Sequence, residues 1–158
     1  MSYKEILELV IPETFTTLYM VFATALISIA IGLPLGILLM ISRPGGIKEM
    51  PKLYKVLDAI INIFRSIPFV ILILLVIPLA RLLLGRSTGT QASILSLSIA
   101  TIPFVARLME GYFISIDKGL IEAAEAMGST NGQIVKKVII PESMPLVISG
   151  ITMTIINI

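Results

Sequence analysis

The chain has 158 residues, 56% of them hydrophobic and only 14% charged, with a formal net charge of +2 and a mean hydropathy of +1.02. Soluble domains carry about 25% charged residues, so the class is integral membrane protein, and the small net charge gives no reason to expect nucleic acid as a partner. With no cysteine and no histidine, disulfides, thiol chemistry, the usual general base and the usual zinc ligand are all excluded. No metal site and no bound cofactor is expected.

Residues 1–13 read as an external tail. The leader carries Glu5, Glu8 and Glu13 against Lys4, the wrong sign for a secretory signal. From Thr14 to Ser42 there is no charge, which is long enough to cross a hydrocarbon core of about 30 Å. Gly32 and Gly36 within it form G-x-x-x-G, a pattern for close helix packing, here within the subunit. Arg43-Pro44-Gly45-Gly46 then signals a turn.

Ala59 to Ala80 reads as a second span interrupted by Arg65. A charge well inside a span costs at least about 2.5–3.5 kcal/mol near the bilayer centre. Arg65 therefore faces a partner or a wet pathway, or it snorkels to the cytoplasmic interface. Ser87 to Ala106 is a third uncharged block, and Gly85 to Thr90 a short external connection. Pro34, Pro68, Pro78 and Pro103 each lie within one of these blocks. Membrane helices tolerate proline, commonly with a kink, and Pro68 and Pro103 are the positions at which flexing would matter most. Arg107 and Glu110, three apart, suit a local ion pair, or else a contact to the polar segment that follows. Ser143 to Ile158 is a fourth apolar block without a polar flank, and the expectation is that the chain is incomplete at that end.

Lysine and arginine set the topology. The segments 43–55 and 107–142 hold eight basic residues, and the opposite side holds Lys4, Arg81 and Arg86. The positive-inside rule places the N-terminus outside and the 107–142 segment in the cytoplasm.

Within that segment, residues 119–141 predict a helix-turn-helix. Leu120, Ala123, Ala124 and Met127 recur at helical spacing, with Glu122 and Glu125 on the flanks. Gly128 stands where a helix terminus favours a left-handed residue. Thr130-x-x-Gln133 is a capping-box pattern that starts a second helix. Ile134, Val135, Val138 and Ile139 make its apolar face, and Pro141 ends the ordinary helical ladder. A lipid-lying amphipathic loop and a protein-docking element both fit this pattern, and Ala123 and Ala124 favour the second because small residues permit close approach. Glu122 and Glu125 are not a catalytic pair, since neither a histidine nor a glycine-rich phosphate cradle accompanies them. The eight methionines say nothing of a substrate, because methionine is a routine filler of apolar packing.

Glu122, Ala123, Ala124, Gly128, Val138, Ile140 and Pro141, in this spacing, resemble the ATPase-coupling motif of bacterial ABC importer permeases, with Val138 and Ile140 where Ile and Leu are usual. The stretch from Ala59 to Phe69, together with Arg107 and the context from Met127 to Val138, resembles the methionine importer subfamily. The likeness runs from Gly32 to Ile158. It implies an all-α polytopic bundle of the type I importer class, a permease domain over 14–158 with a coupling hairpin at 119–141, and a chain that stops within the fourth of five membrane helices. It also implies a homodimer in the cell membrane, a cytoplasmic ABC ATPase dimer that carries ATP-Mg, and an extracytoplasmic methionine-binding protein. The chain has no G-x-x-x-x-G-K-[ST] phosphate loop, so it is not expected to be an enzyme and a P-loop engine must come from another polypeptide. Importers of other amino acids or small solutes share the motif, and a non-transporting membrane scaffold is the alternative of a different class.

Overall fold

The structure, a computed structural model, describes residues 3–158. Among the described residues all regular structure is helical. Helix α1 covers Tyr3–Ser42, α2 Pro51–Ser66, α3 Phe69–Leu84, α4 Thr90–Ile114, α5 Lys118–Ala126 and α6 Asn131–Ile134. A π-helical turn over Val135–Ile139 leads into α7, Ile140–Asn157. Three of these paths are long and apolar enough to cross a membrane, Ile6–Ser42, Thr90–Ile114 and Asn131–Asn157, and the α2–α3 pair adds a bent fourth. The chain is a multi-pass membrane bundle.

α1 begins earlier than expected. Residues 3–13, read from their acidic leader as a tail, are helical and continuous with the first span. Forty residues at 1.5 Å rise make a rod of about 60 Å, twice the hydrocarbon thickness. Pro12 and Pro34 lie inside this helix without ending it.

The bundle is organised around α1 against α4, the most extensive helix pair in the structure. On α1, Thr24, Ser28, Gly32, Gly36 and Met40 recur every four residues and are all buried, a single stripe on one helix face. Small residues on that stripe let the backbones approach closely, which is how membrane helices associate when burial from water gives no drive. A Cβ added at Gly32 would lie 2.7 Å from the Val105 Cβ, and one at Gly36 would lie 2.7 Å from the Met109 Cβ and 2.8 Å from the Ala106 carbonyl oxygen. The intrasubunit packing expected of G-x-x-x-G is what the structure shows.

The second block departs from expectation. Ala59 to Ala80 is not one straight helix: α2 and α3 meet at an angle of 110°. Pro68 disfavours the helical region for Ile67, which is extended at φ −86°, ψ 129°, so α2 ends at Ser66. α2 packs against α1 and α4, with Ile61 buried against Leu39 and Ala106. α3 then runs along α4 and ends on Gly85, which is left-handed at φ 70° and returns its N–H to the Arg81 carbonyl at 3.0 Å. Pro78 and Pro103 lie inside continuous helices, so Pro68 alone of that set marks a break.

The contact at Gly36 has nowhere to relax, because one of the opposing atoms is backbone. Gly36→Val is expected to lower the unfolding midpoint of the purified protein in detergent, with a cost of about 1–3 kcal/mol typical of overpacking. An unchanged midpoint and yield would show that α1 and α4 can separate at no cost.

Candidate functional site: a core-anchored polar hairpin

Asp117 opens the hairpin. Its carboxylate accepts from the Gly119 N–H at 2.8 Å and caps α5, a role that an aspartate just before a helical run could have announced. At the other end, the Ser129 N–H donates to the Ala124 carbonyl at 3.0 Å and the Gly128 N–H to the Glu125 carbonyl at 2.8 Å. This nested pair is a Schellman closure, which requires a left-handed residue at its centre. Gly128 supplies it with φ +79°. The Thr130–Gln133 capping box then starts α6, with the Thr130 N–H donating to Gln133 Oε1 at 2.8 Å. Both turn features expected from the residues are present.

The apolar face of the first arm is divided otherwise than its spacing suggested. Ala124 is buried and Ile121 packs beside it against the core, whereas Leu120, Ala123 and Met127 are exposed. Glu122 and Glu125 are exposed too. In the second arm Ile134, Val135 and Ile139 are buried, Val138 is half-buried, and Lys136 and Lys137 face outward. Ala124, Ile134, Val135 and Ile139 join Met40 of α1, Val105, Met109 and Phe113 of α4 and Val147 of α7 in one core cluster. The hairpin is thus part of the bundle's core and is not a loop laid on its surface.

Pro141 does not end a helix as expected. The chain runs from Asn131 to Asn157 as one helical path. Just before the proline the ladder widens, and the Ile140 N–H donates to the Val135 carbonyl. The five-residue spacing absorbs the donor that Pro141 lacks and makes room for its ring. Ile140 is half-buried against the core, and Pro141 is exposed. The second arm of the hairpin and the last span are therefore one continuous element.

The two basic segments meet on one side of the bundle. The Asn131 side-chain amide donates to the Ile47 carbonyl at 3.3 Å. A cleft of about 260 Å³ lies between Arg43 and Gly46 on one wall and Lys118, Glu122 and Glu125 on the other. Acidic and basic groups thus face each other beside the hairpin.

Arg65 is not well inside a straight span. It occupies the last turn of α2 beside the Ile67–Pro68 break and is exposed. Arg107 does form the ion pair expected with Glu110, at 2.6 Å, and a second one with Asp58 of α2 that sequence spacing could not reveal. It also donates to the Asn62 side-chain oxygen at 3.1 Å. Glu110 is 2% exposed, so Arg107 is the cation that makes its burial tolerable. Among the described residues Arg107 makes no side-chain bond to the hairpin; it fastens α2 to α4.

Three comparisons agree with this architecture. Residues 32–158 match the family of binding-protein-dependent transport system inner membrane components. The D-methionine transport system permease protein MetI of Escherichia coli K12 is 45% identical over 149 residues, which cover 94% of this chain and 69% of that protein. The probable D-methionine permease MetI of Pasteurella multocida is 48% identical over the same shares. A solved structure of the MetNI methionine ABC transporter, in inward-facing conformations, superposes with a TM-score of 0.94 at 44% identity, covering 99% of this chain and 72% of that one.

Because Glu110 is buried with its cation, Arg107→Leu is expected to destabilise the protein by about 3–5 kcal/mol. Adding Glu110→Leu should recover most of that loss, as measured by reversible unfolding in mixed micelles. A single variant within 1 kcal/mol of the wild type, roughly the worth of a surface pair, would mean that Glu110 has another means of neutralisation.

The sequence match, the identity and the fold together place this chain in the family of binding-protein-dependent transport system inner membrane components.

Proposed function

We propose that this chain is the membrane-spanning permease subunit of an ATP-driven methionine importer. The observation that carries the proposal is the hairpin built from Lys118 to Ile139, whose inner face is locked into the bundle core while Leu120, Glu122, Ala123 and Met127 stay exposed. An element of this kind transmits force: whatever grips its outer face moves α4 and α7 with it. The relatives named D-methionine permease and the MetNI methionine transporter structure support methionine as the solute.

In this reading Glu122 and Ala123 meet an ABC ATPase, Gly128 closes the turn, and Ala124, Val138 and Ile140 hold the hairpin to the bundle. Pro141 sits where the motion passes into α7. The hairpin lies in the cytoplasm and the N-terminus outside, in line with the basic residues gathered on the hairpin side. ATP-Mg is bound and hydrolysed by the partner ATPase, two permease copies flank the path, and a separate extracytoplasmic protein delivers the amino acid. Tilting of rigid helices by the ATPase then opens the path alternately to either side.

The test is uptake of labelled L-methionine by cells lacking their own methionine uptake and expressing the permease, ATPase and binding-protein genes. Uptake that needs all three, and that only methionine-like solutes compete for, is the expected result. Three-gene-dependent uptake of another solute would discard methionine and keep the coupling role; no transport by folded, membrane-inserted protein would favour a scaffold. Gly128→Val, which forces a β-branched residue into a left-handed position, is expected to abolish uptake at normal membrane abundance. Normal uptake by that variant would remove the Schellman closure from the coupling role.

A further inference from the structure

We infer that the break between α2 and α3 forms a transit site for the carboxylate of the transported amino acid, with Arg65 as its binding group. The inference rests on the importer reading above. Two cavities of about 410 Å³ each lie along the same face of α4. The first is lined by Arg65, Ser66, Pro68, Phe69, Thr101 and Phe104, among others. The second is lined by Arg65, Phe104, Arg107, Leu108, Gly111 and Tyr112. Arg65 and Phe104 belong to both, so the two open cavities adjoin, with the arginine at their junction.

Depth supports the assignment. α4 runs from Thr90 to Ile114, and Thr101 and Phe104 lie at the middle of that run. The first chamber is therefore near mid-membrane, and the second leads toward the hairpin end. Each chamber is in the usual size range for a small-molecule site, roughly 300–1,000 Å³. Phe69 and Phe104 offer apolar surface for a side chain such as that of methionine.

Charge supports it further. Two arginines line the chambers, and they differ in one respect. Arg107 is engaged by Asp58 and Glu110. Arg65 is exposed and forms no ion pair among the described residues. A guanidinium without a carboxylate partner is suited to bind one through two parallel hydrogen bonds. The helix break contributes as well. Among the described residues, α3 starts on Pro68 without a side-chain cap. The N-terminal end of α3, like Arg65, favours the carboxylate.

The experiment compares wild type, Arg65→Gln and Arg65→Lys in the complete permease–ATPase complex, reconstituted in liposomes with the binding protein. Uptake of labelled L-methionine and ATP hydrolysis stimulated by the loaded binding protein are measured together. Arg65→Gln is expected to lower uptake roughly tenfold or more, as loss of a charged hydrogen-bonding partner does, with stimulated hydrolysis unchanged. Arg65→Lys should recover part of the uptake, because it restores the charge without the planar fork. Uptake by Arg65→Gln within twofold of wild type would overturn the site. Parallel loss of stimulated hydrolysis, unrelieved by lysine, would assign Arg65 a structural role and overturn it too. Failure of the wild type itself to accumulate methionine would instead count against the importer reading on which the site rests.

Discussion

The closeness of α1 to α4 sets the rest of this structure. Gly32 and Gly36 bring the α1 backbone to a distance at which a single methyl group would collide with Val105, Ala106 and Met109. Val105 and Met109 also face the hairpin and α7 through the main core cluster, while Ala106 packs with Leu39 and Ile61. One helix thus serves as the common wall for the first span, the polar hairpin and the last span. In a membrane this wall cannot be maintained by hydrophobic exclusion between helices, since lipid is as apolar as the side chains, so close packing must do it. Interdigitated apolar packing has few arrangements between tightly seated and separated, which suits a bundle that transmits movement as a rigid body.

The hairpin follows from that wall. Ala124 fits against α4 because it is small, and Ile134, Val135 and Ile139 complete the buried side. The Schellman closure at Gly128 and the capping box at Thr130 satisfy the backbone groups freed where the chain reverses. The widened turn before Pro141 then carries the second arm into α7 without interruption. A proline that would ordinarily stop a helix becomes instead the point at which the hairpin and the span share an axis. In the importer proposed here, motion imposed on the exposed face of Leu120 and Ala123 would pass through the Gly128 turn and the core contacts of Ala124 into the helical path from Asn131 to Asn157.

The two arginines show how tertiary contacts give one residue type two fates. Arg107 is held between a buried glutamate of its own helix and an aspartate of α2. Its role is structural because carboxylates surround it. Arg65 comes one turn after Ile61, which is seated against Leu39 and Ala106, and so it projects at the break where the chain turns by 110°. The first is a clasp between α2 and α4, and the second remains available to a ligand.

Much of this protein was legible in its residues. The apolar blocks, the eight basic residues on one side and the turn chemistry of Gly128 and Thr130 are local features, and local chemistry determines them: membrane length, left-handed backbone and capping need no distant partner. Residues 3–13 are helical because the acidic side chains that mark a polar leader do not prevent a helix, and the bend within Ala59 to Ala80 is hidden because hydropathy averages over it. The exposed division of Leu120 and Ala123 from Ala124, the Asp58–Arg107 pair and the chambers around Arg65 were beyond sequence, since each depends on which helix lies opposite. By itself the sequence determined a membrane bundle with a capped hairpin on its basic side. Only the packing of α4 against α1, α2 and α7 decided which faces are buried and which remain open, because burial is a relation between elements and is not a property of any one of them.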